Sequence, residues 1–336
     1  MFLTPFLLAT TLVHSPVAGA PPRAVKPIVV KVLVLNFDPF VKSEGGKRLH
    51  EAFHWQAPKE LARGYMFDLQ LASRGFIKFN IAEWRDLNSI PTKADGFKWD
   101  ADAYYTAWRT HKGLHDPDAV DYIKVIADNK VAPLIDSGKV DEVWVFGAPA
   151  FGFNESAMAG PGSFWINGPT FDKVKCKHAF AIMGFSYERG VAEMVHDLCH
   201  RAEGTMSHVY GGWNAAKPPT NWDKFSAYAK QGAGVAGVGN CHWPPNADGD
   251  YDYGNPRTVQ STADDWLSYP NLTGETKPVN RDSWGSNDYH RSYLRWWFTR
   301  LPKAPGVNAD GRQNNWWKYL FRFWDYDEHG VPVKKK

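Results

Sequence analysis

The chain has 336 residues, 43% of them hydrophobic, and its 39 basic and 36 acidic side chains leave a net charge of +3 spread along its length. That balance speaks against a nucleic-acid surface, which needs a basic stripe interleaved with stacking aromatics. Three cysteines are too few for a disulfide-built scaffold, and no stretch reaches the ~20 consecutive apolar residues of a membrane span.

Met1 to Ala20 has an apolar core from Phe2 to Val13 and ends in Ala18-Gly19-Ala20, the small-x-small pattern of a signal-peptidase site. A secreted protein, extracellular or periplasmic, is therefore expected, with residues 1–20 as signal peptide and a mature chain from near Pro21. Export permits one disulfide, and Cys176 with Cys241 is the favoured pair because Cys199 falls inside a predicted helix.

Strand-like runs at Ile28 to Leu35, Phe76 to Ile81, Glu142 to Phe146 and Ala179 to Gly184 are rich in Val, Ile or Phe and bounded by turn formers. Helical patterns at Pro58 to Ser73 and Pro117 to Asn129 lie between them. This alternation predicts an α/β fold, a layered sheet with flanking helices, with mixed α+β as the variant. The core is expected over residues 21–205. Residues 206–336 turn to Gly, Pro, Asn, Asp and Trp, with shorter helices at Trp222 to Gln231, Tyr289 to Leu301 and Asn315 to Trp324, and read as a loop-rich part packed on that core.

The strand at Ala179 leads into an amphipathic helix carrying Glu193, His196, Asp197, His200 and Glu203. At about 100° per residue, Glu193, His196, His200 and Glu203 fall within roughly 80° of one another, so one face gathers two imidazoles and two carboxylates. Those groups bind a divalent transition metal and move protons beside it. The same face also reads as a hydrogen-bonded network without an ion, Glu193 with His196 and His200 with Glu203, each pair three residues apart.

His196-Asp197-Leu198-Cys199-His200 resembles the HExxH motif of zincin metallopeptidases, with Asp197 where that family carries Glu. The resemblance spans about Ala179 to His208. It implies His196 and His200 as zinc ligands and Asp197, or Glu193, as the group that handles the proton of the attacking water. The third ligand is expected from Glu203 or from His208, reached by a helix break at Gly204, with His242 as a long-range candidate. A second match, His50-Glu51-Ala52-Phe53-His54, satisfies HExxH in full, but Pro58 follows within about two turns and no buried strand leads into it. The later motif is preferred on context.

Asp248, Asp250 and Asp252 alternate in a Gly-containing loop, the oxygen-rich pattern that suits Ca2+. A Gly-rich loop follows the strand at Glu142 and contains Glu155, where α/β proteins hold ligands. Sixteen Trp, many beside Gly, Asn, Asp or Pro, suit sugar stacking as well as core filling. The expected function is a secreted zinc-dependent hydrolase acting on a peptide-like bond in an extracellular peptide, protein or glycan substrate. The alternatives are a non-catalytic carbohydrate-binding or surface protein, and a zincin fold that has lost its chemistry.

Overall fold

The computed structural model describes residues 26–212, 218–231, 235–285, 288–327 and 329–333. The predicted signal peptide and the start of the mature chain lie outside the described residues. Among the described residues no helix is long and apolar enough to cross a membrane.

In chain order the first strands are β1 (Ile28–Phe37), β2 (Phe40–Val41), β3 (Lys47–Arg48), β4 (Ile77–Leu87) and β5 (Glu142–Gly147). They are followed by β6 (Ser156–Ala159), β7 (Thr170–Phe171) and β8 (Phe180–Ser186). Six of these form one sheet in the order β4-β1-β5-β8-β6-β7, while β2 and β3 make a separate hairpin. The contacts β4-β1, β1-β5, β5-β8 and β6-β7 are parallel, and only β6 runs antiparallel to β8. The sequence explains the order. β1 and β5 are nearly unbroken apolar runs that suit strands covered on both faces, whereas β4 alternates polar residues such as Lys78 and Asn80 along the edge. The chain is thus mixed α/β with a mostly parallel sheet flanked by helices, as the alternation of elements predicts.

The helices are α1 (Leu49–Ala52), α2 (Pro58–Ala72), α3 (Ala101–Thr110), α4 (Tyr122–Asp128), α5 (Val131–Asp136), α6 (Val191–Tyr210), α7 (Asn221–Ser226), α8 (Tyr289–Arg300) and α9 (Trp317–Phe321). The predicted helix from Pro117 starts only at Tyr122, because Asp121 is its N-cap and accepts from the Lys124 N–H. α3 was not expected; Asp100 caps it by accepting from the N–H groups of Asp102 and Ala103.

α6 contacts α2, α8, α9 and β8 and is buried along most of its length. One buried pair ties it to the sheet: Arg201 Nη1 donates to Glu142 Oε2 at 2.8 Å, while Glu142 Oε1 accepts from Trp144 Nε1 at 2.7 Å. α6 does not break at Gly204 as the sequence suggests, but runs on to Tyr210, so the change of character after Thr205 falls within its last turns. The glycine serves close packing instead, since a Cβ there would stand 2.7 Å from the Ile166 Cα.

Seven of the fifteen tryptophans among the described residues are core and seven more are half-buried. Trp144, Trp222, Trp266, Trp296, Trp297, Trp316 and Trp317 are buried, and Trp165 is the exposed one among the described residues. All three cysteines are free thiols: Cys176 is half-buried and makes its contacts around His178, while Cys199 and Cys241 are buried, with Cys241 Sγ donating to the His196 carbonyl oxygen at 3.6 Å. The expected pairing of Cys176 with Cys241 is therefore corrected, because the fold gives Cys241 a different neighbour.

Candidate metal centre

α6 starts right after β8, so its first turns stand at the carboxyl ends of the parallel strands, where open α/β sheets bind ligands. His196 and His200 lie one turn apart on its inward face. A loop from the C-terminal part brings His242 to them. That loop is shaped by Asn240, whose Oδ1 accepts from the N–H of His242 at 3.2 Å and of Trp243 at 3.1 Å. Gly239 precedes it at φ 81°, with no room for a side chain because a Cβ would lie 2.3 Å from the Trp243 carbonyl oxygen.

The three imidazoles meet through Nε2. His200 Nε2 is 2.9 Å from His242 Nε2, which is 3.3 Å from His196 Nε2. Two outer nitrogens are hydrogen-bonded, His200 Nδ1 to Glu203 Oε2 at 2.8 Å and His196 Nδ1 to His290 Nε2 at 3.0 Å, while His242 Nδ1 makes an ion-pair contact with the exposed Asp250 carboxylate at 3.0 Å. A carboxylate only accepts, so His200 carries its proton on Nδ1 and presents a lone pair on Nε2. One extra proton closes at most one of the two Nε2 gaps. A cation satisfies them together, and two nitrogens bound tetrahedrally at 2.0–2.1 Å to one zinc stand about 3.3 Å apart. The donor set and its spacing fit a divalent transition ion.

Electrostatics divides the helix pair, favouring a neutral His196 and protonation of His200. Burial, together with the neighbouring imidazoles of His200, His290 and His242, pushes the His196 pKa down to about 2, so this ring is a neutral donor. For His200 burial opposes protonation, but the hydrogen-bonded Glu203 and the nearby Glu155 and Asp250 outweigh it and raise the pKa. Tyr251, at φ 57° and half exposed, walls the imidazoles; its ring centroid is 4.2 Å from that of His242 and, parallel, 5.7 Å from that of His196. A positive φ on a bulky residue beside such a centre is strain of the kind held at functional sites.

Glu155, from the loop after β5, brings Oε2 to 3.9 Å from His200 Nε2 and accepts from Asn167 Nδ2. It stands at a cavity of about 260 Å³ lined by Gly147, Ser186, Arg189, Glu193 and Asp197 at the strand ends. A larger cavity of about 570 Å³ lies near the other end of α6, around His208.

The sequence candidates are distributed as follows. His196 and His200 come together, and the long-range candidate His242 joins them. Glu203 sits beside them as the partner of His200 and of the Cys241 backbone N–H, which occupies both its oxygens. His208 is twelve residues from His196, roughly 18 Å along an unbroken helix, and stacks on Phe164 at 3.9 Å. Asp197 lines the strand-end cavity with its carboxyl raised well above the usual range, by burial first and then by Glu155 and Glu193. Glu193 is half-buried, 3.4 Å from Arg189. The second motif is not a helix face at all: α1 ends at Ala52, His50 is bound to Asp38 at 2.6 Å, and His54 is exposed at φ 56°.

The three loop aspartates do not converge on a common point. Asp248 pairs with Arg257, Asp250 with His242, and Asp252 accepts from the Asp248 N–H. The residue that sequence reasoning missed is His290, at the start of α8, which belongs to no motif. No family model, no curated protein and no solved structure matches this chain.

Proposed function

We propose that the chain is a metal-dependent hydrolase, zincin-like in mounting two ligands on one helix, in which His196, His200 and His242 hold a divalent zinc ion beside a substrate cavity. The observation that carries this reading is the convergence of three Nε2 atoms, with His200 fixed by a carboxylate on its opposite ring nitrogen. Three nitrogen donors suit zinc; the fourth group of the cluster, the Cys241 thiol, donates to the His196 carbonyl oxygen at 3.6 Å instead, which leaves a coordination position open.

A zinc ion in such a set supplies Lewis acidity and brings the pKa of a bound water to about 7. The protein's own groups then divide the work. Glu155 is the group that takes the proton of the attacking water, being the half-exposed carboxylate nearest the open side, and it returns that proton to the departing amine. Asp197 is less suited to this role, because burial, with Glu155 and Glu193 beside it, opposes its ionisation. Glu203 holds His200 in the donor tautomer, Asp250 lies beside the His242 ring, and Arg189, exposed at the cavity mouth, is placed to take a carboxylate of a peptide-like substrate.

The test is elemental analysis of the purified protein joined to an assay on a fluorogenic peptide library. Bound zinc together with cleavage that a chelator stops and added zinc restores is the expected result. A zinc-loaded protein that cleaves no member of the library contradicts the hydrolase reading, and a metal-free protein contradicts the centre itself.

A further inference from the structure

The outer nitrogen of His196 differs from those of His200 and His242: its partner is another imidazole, not a carboxylate. His290 Nε2 lies 3.0 Å from His196 Nδ1. Glu193, one turn before His196 on α6, brings a carboxylate oxygen to the same place, and the ligand atoms of Glu193, His196 and His290 all lie within 4.8 Å of one another. Yet the carboxylate hydrogen-bonds neither ring; its ion pair is with the exposed Arg189 at 3.4 Å. The His290 ring is fixed by stacking on Tyr253 at 4.7 Å, with an interplanar angle of 13°.

We propose that Glu193, His196 Nδ1 and His290 Nε2 hold a second divalent transition-metal ion, so that the His196 ring bridges two ions. A proton shared between the two rings would close the nitrogen gap alone and would leave the converging carboxylate idle. A cation uses all three donors, and two nitrogens with one oxygen are an ordinary set for zinc or copper. On bridging, His196 releases its remaining ring proton to solvent. The ion would join α6 to α8 at the mouth of the strand-end cavity, which Glu193 also lines. The bridge, though not the second site itself, rests on the reading of His196 Nε2 as a ligand of the first centre.

The experiment is equilibrium dialysis of the full chain against zinc, with elemental analysis, for the wild type, His290→Gln and Glu193→Gln. Two ions per chain are expected in the wild type. Each variant should keep one and bind the other at least tenfold more weakly. Copper(II)-loaded wild type should show an electron paramagnetic resonance signal broadened by coupling through the shared ring, and His290→Gln a sharp one-ion signal. Glu193→Gln, at a half-buried site, decides the matter if circular dichroism shows His290→Gln misfolded. A wild type with one ion, unchanged in both variants, overturns the second site and leaves the first standing. Two ions retained in both variants also overturn it, and a wild type with no ion overturns both centres.

Discussion

Glu203 and Cys241 are joined by a 2.6 Å hydrogen bond, the Cys241 backbone N–H donating to Oε1, while the other oxygen of the same carboxylate holds His200 Nδ1 at 2.8 Å. One side chain thus sets the ring of a helix ligand and anchors the loop that delivers His242. Glu203→Ala removes both restraints and should weaken zinc binding by about 10- to 100-fold, the usual cost of losing an outer partner of a metal ligand. Competition with a chromogenic chelator measures it. Glu203→Gln keeps an acceptor for one of the two bonds and should fall between; wild-type affinity in both variants would mean the carboxylate does not orient the centre.

Glu155→Gln separates chemistry from metal binding. The amide keeps the shape and can still meet Asn167, but it cannot take a proton. Zinc content should match the wild type while kcat on a cleaved peptide falls by about 10²- to 10⁴-fold, the range for a lost general base. Asp197→Asn should leave kcat within a few-fold, because burial opposes ionisation of that carboxyl. The reverse pattern would transfer the proton-handling role to Asp197.

Arg201 tests the attachment of α6 to the sheet independently of any metal. Its guanidinium is 1% exposed against a Glu142 carboxylate 3% exposed. Arg201→Ala leaves that carboxylate buried and uncompensated, and urea unfolding should show a loss of about 3–5 kcal/mol. A loss under 1 kcal/mol would mean that water reaches Glu142 in the variant.

Lys303 gives a pH signature. Burial, with Arg74 adding repulsion, lowers its pKa from 10.5 to about 8, and its Nζ has no hydrogen-bond partner. Between those two values the unfolded chain binds more protons than the folded one, so stability rises with pH across that window. Below pH 8 the buried charge carries its full cost; above 10.5 the lysine is neutral in both states and the cost is gone. Lys303→Met should therefore raise Tm at pH 7, with the difference shrinking as pH rises through the window. A Tm difference independent of pH would contradict the assignment.

The sheet was legible because β1, β5 and β8 are apolar runs too consistent to face water, and because His196 and His200 share a face at helical spacing. What lay beyond the sequence was everything set by long loops. His242, 42 residues from His200, was open only as a long-range candidate, and His290, 94 residues from His196, belonged to no pattern at all. Asp250 read as part of a cation loop because alternating carboxylates look alike whether they bind an ion or a ring nitrogen; the fold turns it toward His242. His208 and Gly204 misled for a physical reason: a glycine in a helix reads as a stop, but here it admits the Ile166 backbone and the helix runs on. His50 and His54 fit the motif in letters only, since α1 ends before His54.

The most direct measurement is anomalous X-ray diffraction at the zinc absorption edge from crystals grown with zinc. The account predicts an anomalous peak within bonding distance of the Nε2 atoms of His196, His200 and His242. Crystals that show no peak between those three nitrogens, or whose zinc sits at His208 or between His50 and His54, would contradict it.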